Sequence, residues 1–239
     1  MAHREFKDQL YAQFARLGKA LASPQRLELL DLLAQGERSV DDLAREAGLS
    51  IANASAHLQA LARARLVVGR KAGLRVYYRL ADPSVYRLWA ALREAGSAQL
   101  AEIDRLVRAY LHDRQALEPL SRAEFLTRLT RGETVVLDVR PALEYRQGHV
   151  AGARSIPVDE LEARLGELDP RREVVAYCRG PYCVFADEAV ALLRARGLRA
   201  YRYAEGFPEW AAAALPVAEG DAEGDADPAP ERAAPSTTR

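Results

Sequence analysis

The two cysteines of the chain stand close together in VVAYCRGPYCV, residues 174–184. Cys178 ends an apolar run typical of a buried strand, and Cys183 closes the short loop that follows. A thiol between a strand and a helix lies among backbone N–H groups and near a helix N-terminus, and both stabilise an anion. We therefore expect the loop to lower the pKa of Cys178 and to make this thiol a nucleophile.

The loop residues support this interpretation of Cys178. Gly180 allows backbone N–H groups to turn inward, and Pro181 stiffens the loop. The alternative is that Cys178 is simply a buried apolar side chain, the usual role of a cysteine after an apolar strand. The residues predicted to surround the thiol are Arg179, Gly180, Pro181, Tyr182 and Val184.

A group of charged residues lies in VVLDVRPALEYRQGHV, residues 135–150. Asp138 and Arg140 come at the end of an apolar run, and Glu144 follows one helical turn later. Buried charges persist only when they are paired. We therefore expect these three side chains to form a hydrogen-bonded scaffold rather than a catalytic group.

Basic residues dominate part of the N-terminal half. Between Glu46 and Asp82 there is no acidic residue, and the basic residues there are Arg63, Arg65, Arg70, Lys71, Arg75 and Arg79. A surface that neutralises phosphates needs such a bias. The residues predicted to contact DNA are Asn53, Ser55, His57, Gln59, Arg70, Lys71 and Arg75. His57 could equally be a partly buried residue bonded to a neighbouring helix.

The elements that position these N-terminal residues are helices followed by a hairpin. Four helices are predicted: one over residues 5–22, one from Ser23 to Gly36, a short one after Ser39 and one over residues 51–65. The stretch LVVGRKAGLRVYYRL predicts the hairpin that follows. This is the layout of a winged helix-turn-helix, in which one helix enters the major groove and a β-ribbon reaches the backbone. A long helix is predicted to follow over residues 84–115.

The C-terminal half alternates strands and helices. TVVLDV, EVVAYC and LRAYRY predict strands of a parallel sheet, so this half is expected to be an α/β domain. Residues 219–239 are rich in Ala, Gly, Pro and acidic residues and are expected to be disordered. The formal net charge of zero excludes a global field that attracts polyanions, and no segment is typical of a membrane span or a signal peptide.

Residues 23–80 resemble the ArsR/SmtB family of bacterial repressors. Their sequence is SPQRLELLDLLAQGERSVDDLAREAGLSIANASAHLQALARARLVVGRKAGLRVYYRL. The resemblance covers about residues 8–112, and its most specific part is the pattern LS-x4-S-x-HL-x-x-L. It implies a homodimer built on the first and last helices, which an inducer releases from double-stranded operator DNA.

Metal-sensing members of that family carry ligands that this chain lacks. Ser39 and Asp41 stand where a cysteine pair would lie, and Ser84, Ala95 and Ala98 replace further ligands. A zinc or arsenic site needs several such donors together. We therefore expect no metal site and no cofactor.

Three stretches of the C-terminal half together resemble the rhodanese domain, over about residues 121–217. They are VVLDVRPALEYRQGHVAGARSIP, YCRGPYCV and AEGFPEWAAAALPV. The resemblance implies a doubly wound parallel sheet and places Cys178 at the position of the catalytic cysteine. Cys178 would then accept sulfur as a persulfide from a small donor or carrier. Because Arg179 is the loop's only cation, recognition of an anionic donor such as thiosulfate is expected to be weak.

Two roles remain open for Cys183. It could be a resolving thiol that forms a disulfide or a sulfur-bridged link with Cys178. A direct disulfide needs the two Cα atoms within about 7 Å. Cys183 could also be no more than a small residue at the start of the following helix.

Together these patterns predict two domains and a tail: a mainly α winged helix-turn-helix over residues 1–117, a doubly wound α/β rhodanese domain over 118–217, and a disordered tail over 218–239. The predicted function is that of a cytoplasmic, homodimeric repressor in which sulfur bound by Cys178 alters operator binding. One alternative is a sulfurtransferase whose DNA binding responds to another signal. The other is a dithiol sensor that forms a disulfide.

Overall fold

The structure, a computed structural model, describes residues 2–111, 119–132 and 134–221. The N-terminal elements are α1 (Ala2–Leu21), α2 (Pro24–Leu33), β1 (Arg38–Ser39), α3 (Val40–Glu46), α4 (Ile51–Arg63), β2 (Val67–Ala72), β3 (Arg75–Leu80), α5 (Pro83–Gln99) and α6 (Ala101–Tyr110). Within the described ranges, none of the helices combines the length and apolar composition that a bilayer crossing requires.

Serine side chains begin the N-terminal helices. Ser23, Ser39 and Ser50 each accept a hydrogen bond from a backbone N–H in the first turn of α2, α3 and α4. These caps satisfy donors that a helix end leaves unpaired. The chain therefore turns sharply between α3 and α4, and the predicted helix-turn-helix is present.

One face of α4 is buried and the other is open. Ala54, Leu58 and Leu61 are fully buried against α2 and α3. The hairpin β2–β3 follows α4 as the predicted wing, with Arg70 opposite Tyr77 in its register. This packing holds the polar face of α4 and the wing toward solvent.

The predicted long helix is two helices. Leu100 is extended, with φ −109° and ψ 97°, and it separates α5 from α6. Gly96 lets α6 fold back closely, because a Cβ at this position would lie 3.2 Å from the end of the Ile103 side chain. The last residues of the predicted helix, 112–115, lie outside the described residues.

The C-terminal elements surround a parallel sheet. They are α7 (Arg122–Arg131), β4 (Thr134–Asp138), α8 (Ala142–Gln147), β5 (His149–Val150), β6 (Arg154–Ser155), β7 (Glu173–Cys178), α9 (Phe185–Ala195), β8 (Ala200–Gly206), α10 (Phe207–Ala212) and β9 (Val217–Ala218). Among the described residues the sheet order is β6-β4-β7-β8, with parallel neighbours. The predicted α/β fold class is confirmed.

Apolar side chains cover both faces of this sheet, which explains why its strands are apolar throughout. Ala176 faces a core completed by Val190 of α9, and Val175 faces a core completed by Phe125 and Trp210. β7 therefore runs between two cores, and it delivers Cys178 to the sheet's carboxyl edge.

Ordered structure continues past residue 217. Ala218 pairs with His149 between β9 and β5, and the Gly220 N–H donates to the Arg146 carbonyl at 2.8 Å. The start of the predicted disordered tail is therefore held against the domain. Residues 222–239 of that predicted tail lie outside the described residues.

Candidate functional site

Cys178 lies at the end of β7 with only 1% of its surface exposed. The loop after it turns back through a hydrogen bond from the Cys183 N–H to the Gly180 carbonyl at 3.2 Å, and α9 begins at Phe185. Gly206, at the end of β8, packs so closely that a Cβ there would overlap the loop backbone. The sequence correctly predicts this strand–loop–helix placement of the thiol.

The pKa values of the two thiols shift in opposite directions. Burial raises the pKa of Cys178 well above its ordinary value, and backbone hydrogen bonds at Gly180 and Ala186 only partly oppose this. The Cys178 S–H donates to the Gly180 and Cys183 carbonyls at 3.9 and 3.8 Å. Cys178 also interacts with the side chain of Cys183, and that hydrogen bonding lowers the pKa of Cys183 to about 7. The prediction of a lowered Cys178 pKa is therefore wrong, because it counted the loop dipoles and not the desolvation.

Asp138 and Arg140 form the buried pair that the sequence predicts. Both side chains are fully buried, and Arg140 donates from Nε and Nη2 to the Asp138 carboxylate at 3.0 and 2.6 Å. The Tyr177 hydroxyl donates to the same carboxylate at 2.5 Å, and Arg140 also donates to the Gly148 carbonyl at 2.7 Å. This pair braces β4 against β7 beneath the cysteine loop.

Glu144 does not complete that scaffold as predicted. Its carboxylate accepts hydrogen bonds from Arg38 of β1 and from Arg179 of the cysteine loop, the latter from Nε at 2.8 Å. The prediction considered only partners within one motif. A side chain 106 positions away in the sequence, Arg38, takes the place of Arg140.

Two arginines and two glutamates form a closed ring between the domains. Arg38 pairs with Glu46 and Glu144, and Arg179 pairs with the same two carboxylates, reaching Glu46 from Nη2 at 2.7 Å. Arg38 and Glu144 are almost completely buried. We call these four residues the Arg–Glu ring. Glu46 is the last residue of α3, so the ring joins the cysteine loop to the helix-turn-helix.

Further hydrogen bonds join the loop to the N-terminal domain. The buried Gln35 donates from Nε2 to the Arg179 carbonyl at 3.0 Å and accepts from Arg140 at 3.3 Å. The exposed Tyr182 hydrogen-bonds to Ser97 of α5. No local pattern in the sequence marks these partners of a loop more than 80 residues away: Gln35, Arg38, Glu46 and Ser97.

A cavity of about 290 Å³ opens where the loop meets the N-terminal domain. Its lining includes the half-buried Cys183 and the exposed Tyr182 and Val184, and on the opposite side Glu28 and Asp31 of α2. Cys178, which is buried, is not among the residues that line the cavity. The predicted loop residues therefore surround a space that both domains enclose.

The predicted DNA-contacting residues lie together on the outer face of the helix-turn-helix. Asn53 and Gln59 of α4 are exposed, and Ser55 and His57 are partly buried. The side chains of Arg70, Lys71 and Arg75 are exposed on the wing. Arg70 is paired with Glu37: its Nε donates to the two carboxylate oxygens at 2.8 and 3.0 Å, and its Nη2 donates to one of them. The charge pattern of the sequence does not predict this ion pair, because Glu37 lies 33 positions before Arg70.

No metal-binding cluster is present in the described ranges, where no three His, Cys, Asp or Glu side chains come close enough to hold an ion. Ser39, which stands where the related metal sensors carry a cysteine, accepts the capping hydrogen bond of α3 from the Asp42 N–H at 3.1 Å. The Ser39 hydroxyl therefore stabilises the start of α3.

Comparison with known proteins identifies both halves. Residues 23–68 match the family described as "Bacterial regulatory protein, arsR family", and residues 121–213 match "Rhodanese-like domain". The HTH-type transcriptional regulator Rv0324 of Mycobacterium tuberculosis is 45% identical over 221 residues, which cover 92% of this chain and 97% of that protein. YqhL of Bacillus subtilis is 28% identical over 106 residues, covering 44% of this chain and 81% of that protein.

A solved structure is also similar to the N-terminal half. It is the solution structure of a homodimeric winged helix-turn-helix DNA-binding domain, fragment 1-100 of Mb0332 from Mycobacterium bovis, with 48% identity and a TM-score of 0.38. The match covers 39% of this chain and 87% of that one. Rv0324 is related to this chain along nearly its whole length, and the two family models match its two halves. This chain therefore belongs to the ArsR family of bacterial transcriptional regulators, in a form that carries a rhodanese-like domain after the helix-turn-helix.

Proposed function

We propose that this regulator binds an operator in double-stranded DNA and that sulfur bound at Cys178 changes its affinity for that operator. The sulfur comes from a small persulfide donor, and Cys178 holds it as a persulfide. In this function the rhodanese-like domain is the sensing part of the regulator rather than a separate enzyme.

The Arg–Glu ring is the observation that carries this proposal. Cys178 is followed directly by Arg179, whose guanidinium pairs with Glu46 at the end of α3. Adding a sulfur atom to a thiol that is 1% exposed requires the loop to move, because a close-packed interior has no spare volume. Movement of the loop then strains or breaks the contact between Arg179 and Glu46. The position of the helix-turn-helix thus depends on the state of the thiol.

The test is operator binding by wild type and Cys178→Ser, each with and without cysteine persulfide. We expect the donor to change wild-type affinity by about 5- to 150-fold, the usual range of coupling between two sites, and to leave the variant unchanged. The DNA is a fragment that the reduced wild type binds, and uptake is followed by intact mass.

Each other outcome selects a different function. Full response in Cys178→Ser would contradict sensing through this thiol. Sulfur uptake by the wild type without any change in DNA affinity would favour a sulfurtransferase whose DNA binding follows another signal. A response to peroxide alone, with loss of two hydrogens, would favour a disulfide sensor, which the hydrogen bond between the two thiols also permits.

The DNA-binding surface proposed here consists of the outer face of α4 and the wing. Double substitution of Lys71→Ala and Arg75→Ala should weaken binding to all sequences and lower the slope of log affinity against log salt by about 2, because two phosphate contacts are lost. Arg70→Ala should have a smaller effect, since Glu37 already neutralises this side chain. Electrophoretic or fluorescence titration at several salt concentrations measures both.

A matched control for the wing is Arg171→Ala, which removes an exposed arginine from the other domain. It should leave both the affinity and the salt slope unchanged. If the Lys71 and Arg75 double variant behaves like this control, the wing lies outside the DNA interface.

The proposed assembly is a homodimer formed through α1 and α6. Helix α6 contributes no buried residue within the described chain, yet Ile103, Leu106, Val107 and Tyr110 lie along one of its faces. On α1, Phe6, Tyr11 and Phe14 are more than half exposed. Apolar faces of this size are typical of surfaces that a partner covers, and a second copy would also match a two-fold symmetric operator.

A further inference from the structure

The cavity between the domains exposes one of the two thiols and not the other. Cys183 contributes to its lining, whereas Cys178 is 1% exposed and lies behind the loop. A donor that enters this cavity therefore meets Cys183 first. Reaction at Cys178 would require the loop to open before any sulfur had been transferred.

We propose that Cys183 is the thiol that accepts sulfur from the donor and then passes it to Cys178. The inference rests on the proposed function, since it assigns the route by which sulfur reaches the holding thiol. It makes Cys183 a catalytic residue, in contact with the donor, rather than only a resolving thiol or a small residue before α9.

The chemistry of the two thiols fits this order. The thiolate is the nucleophile in sulfur exchange, and a thiol reacts best when its pKa lies near the ambient pH. Hydrogen bonding with Cys178 lowers the pKa of Cys183 to about 7, while burial raises the pKa of Cys178 well above its ordinary value. Arg179, whose charge also favours the Cys183 thiolate, lines the same cavity.

Two balanced displacements complete the route. The Cys183 thiolate attacks the outer sulfur of a persulfide R–S–SH, the S–S bond of the donor breaks, and R–S⁻ leaves with the bonding electron pair. The Cys178 sulfur then attacks the outer sulfur held on Cys183. The transferred sulfur keeps its own hydrogen, and the proton of Cys178 passes to the departing Cys183 sulfur, which leaves as a thiol. Neither step needs an oxidant or a reductant.

The cavity also indicates the class of donor. Among the described lining residues, each guanidinium is already paired: Arg179 with Glu46 and Glu144, and Arg93 with Glu209 at 2.5 Å. Glu28 and Asp31 add further carboxylates. A dianion such as thiosulfate would have to displace a carboxylate to bind. A small organic persulfide carries no sulfonate-like dianion, and its electrophilic form R–S–SH is neutral at the reacting sulfur, so it fits both the charge and the volume of about 290 Å³.

Single-cysteine variants of the full chain test the route. Cys178→Ser retains Cys183 and should gain about 32 Da from cysteine persulfide at a rate close to that of wild type, because its serine hydroxyl can still donate to Cys183. Cys183→Ser should gain the same mass at least ten times more slowly. Intact mass after alkylation at successive times measures both rates, and thiosulfate at equal concentration should load the wild type at least ten times more slowly than the persulfide.

A second measurement compares the reactivity of the two thiols within the wild-type protein. Brief treatment with iodoacetamide followed by peptide mapping should label Cys183 before Cys178, with a pH midpoint near 7 for Cys183. In Cys178→Ala, which cannot donate the hydrogen bond, that midpoint should rise.

Other outcomes separate this inference from the function on which it rests. Uptake by Cys183→Ser at the wild-type rate, or labelling of Cys178 first, would overturn the entry role of Cys183 and leave the proposed function intact. Equal loading by thiosulfate would overturn the assignment of the donor class. Absence of sulfur uptake by the wild type itself would overturn the proposed function.

Discussion

Replacing Asp138 with alanine should lower the free energy of unfolding of the rhodanese-like domain by about 3–5 kcal/mol, the usual cost of breaking a buried ion pair. The substitution leaves the fully buried Arg140 guanidinium without its carboxylate and the Tyr177 hydroxyl without its acceptor. Urea titration followed by the fluorescence of Trp210, in a Trp89→Phe background, reports on this domain, because Trp210 lies in its core.

The matched control for Asp138→Ala is Asp169→Ala. Asp169 also pairs with an arginine two positions along the chain, but that partner, Arg171, is 88% exposed. Exposed pairs add little to stability, so the unfolding midpoint of this control should stay close to that of the parent. An equally small effect of both substitutions would show that Arg140 does not depend on Asp138.

Glu46→Ala should remove the response of operator binding to sulfur. This substitution deletes the carboxylate through which Arg179 of the cysteine loop contacts the end of α3. Sulfur uptake, measured by intact mass, should be retained, since Glu46 contacts neither thiol. The wild-type change in operator affinity, about 5- to 150-fold, should fall to less than about twofold.

Glu28→Ala provides the control for this effect. Glu28 lines the same cavity, but it belongs to α2 and is not part of the Arg–Glu ring. The control should keep the full response to sulfur. A Glu46→Ala protein that still responds like wild type would mean that the signal reaches α4 by another route, such as Gln35 or the contact between Tyr182 and Ser97.

Most local elements follow from the sequence alone, although the break at Leu100 between α5 and α6 does not. Capping serines fixed the starts of α2, α3 and α4, and apolar runs identified β4, β7 and β8. It also predicted the burial of Ala54, Leu58 and Leu61, because an apolar face at helical spacing must pack inward. The pairing of Asp138 with Arg140 was predictable for a similar reason, since two buried charges so close in sequence have each other as nearest partners.

Only the tertiary structure shows which contacts join the two domains and which thiol is accessible. Arg38, Glu46, Glu144 and Arg179 come from four separate segments, and ion pairs between distant segments leave no periodicity in a sequence. The raised pKa of Cys178 comes from burial, which is set by packing against β8 and α9. The lowered pKa of Cys183 comes first from hydrogen bonding with Cys178. Desolvation and long-range pairing arise only when the chain has folded, so only the folded structure shows them.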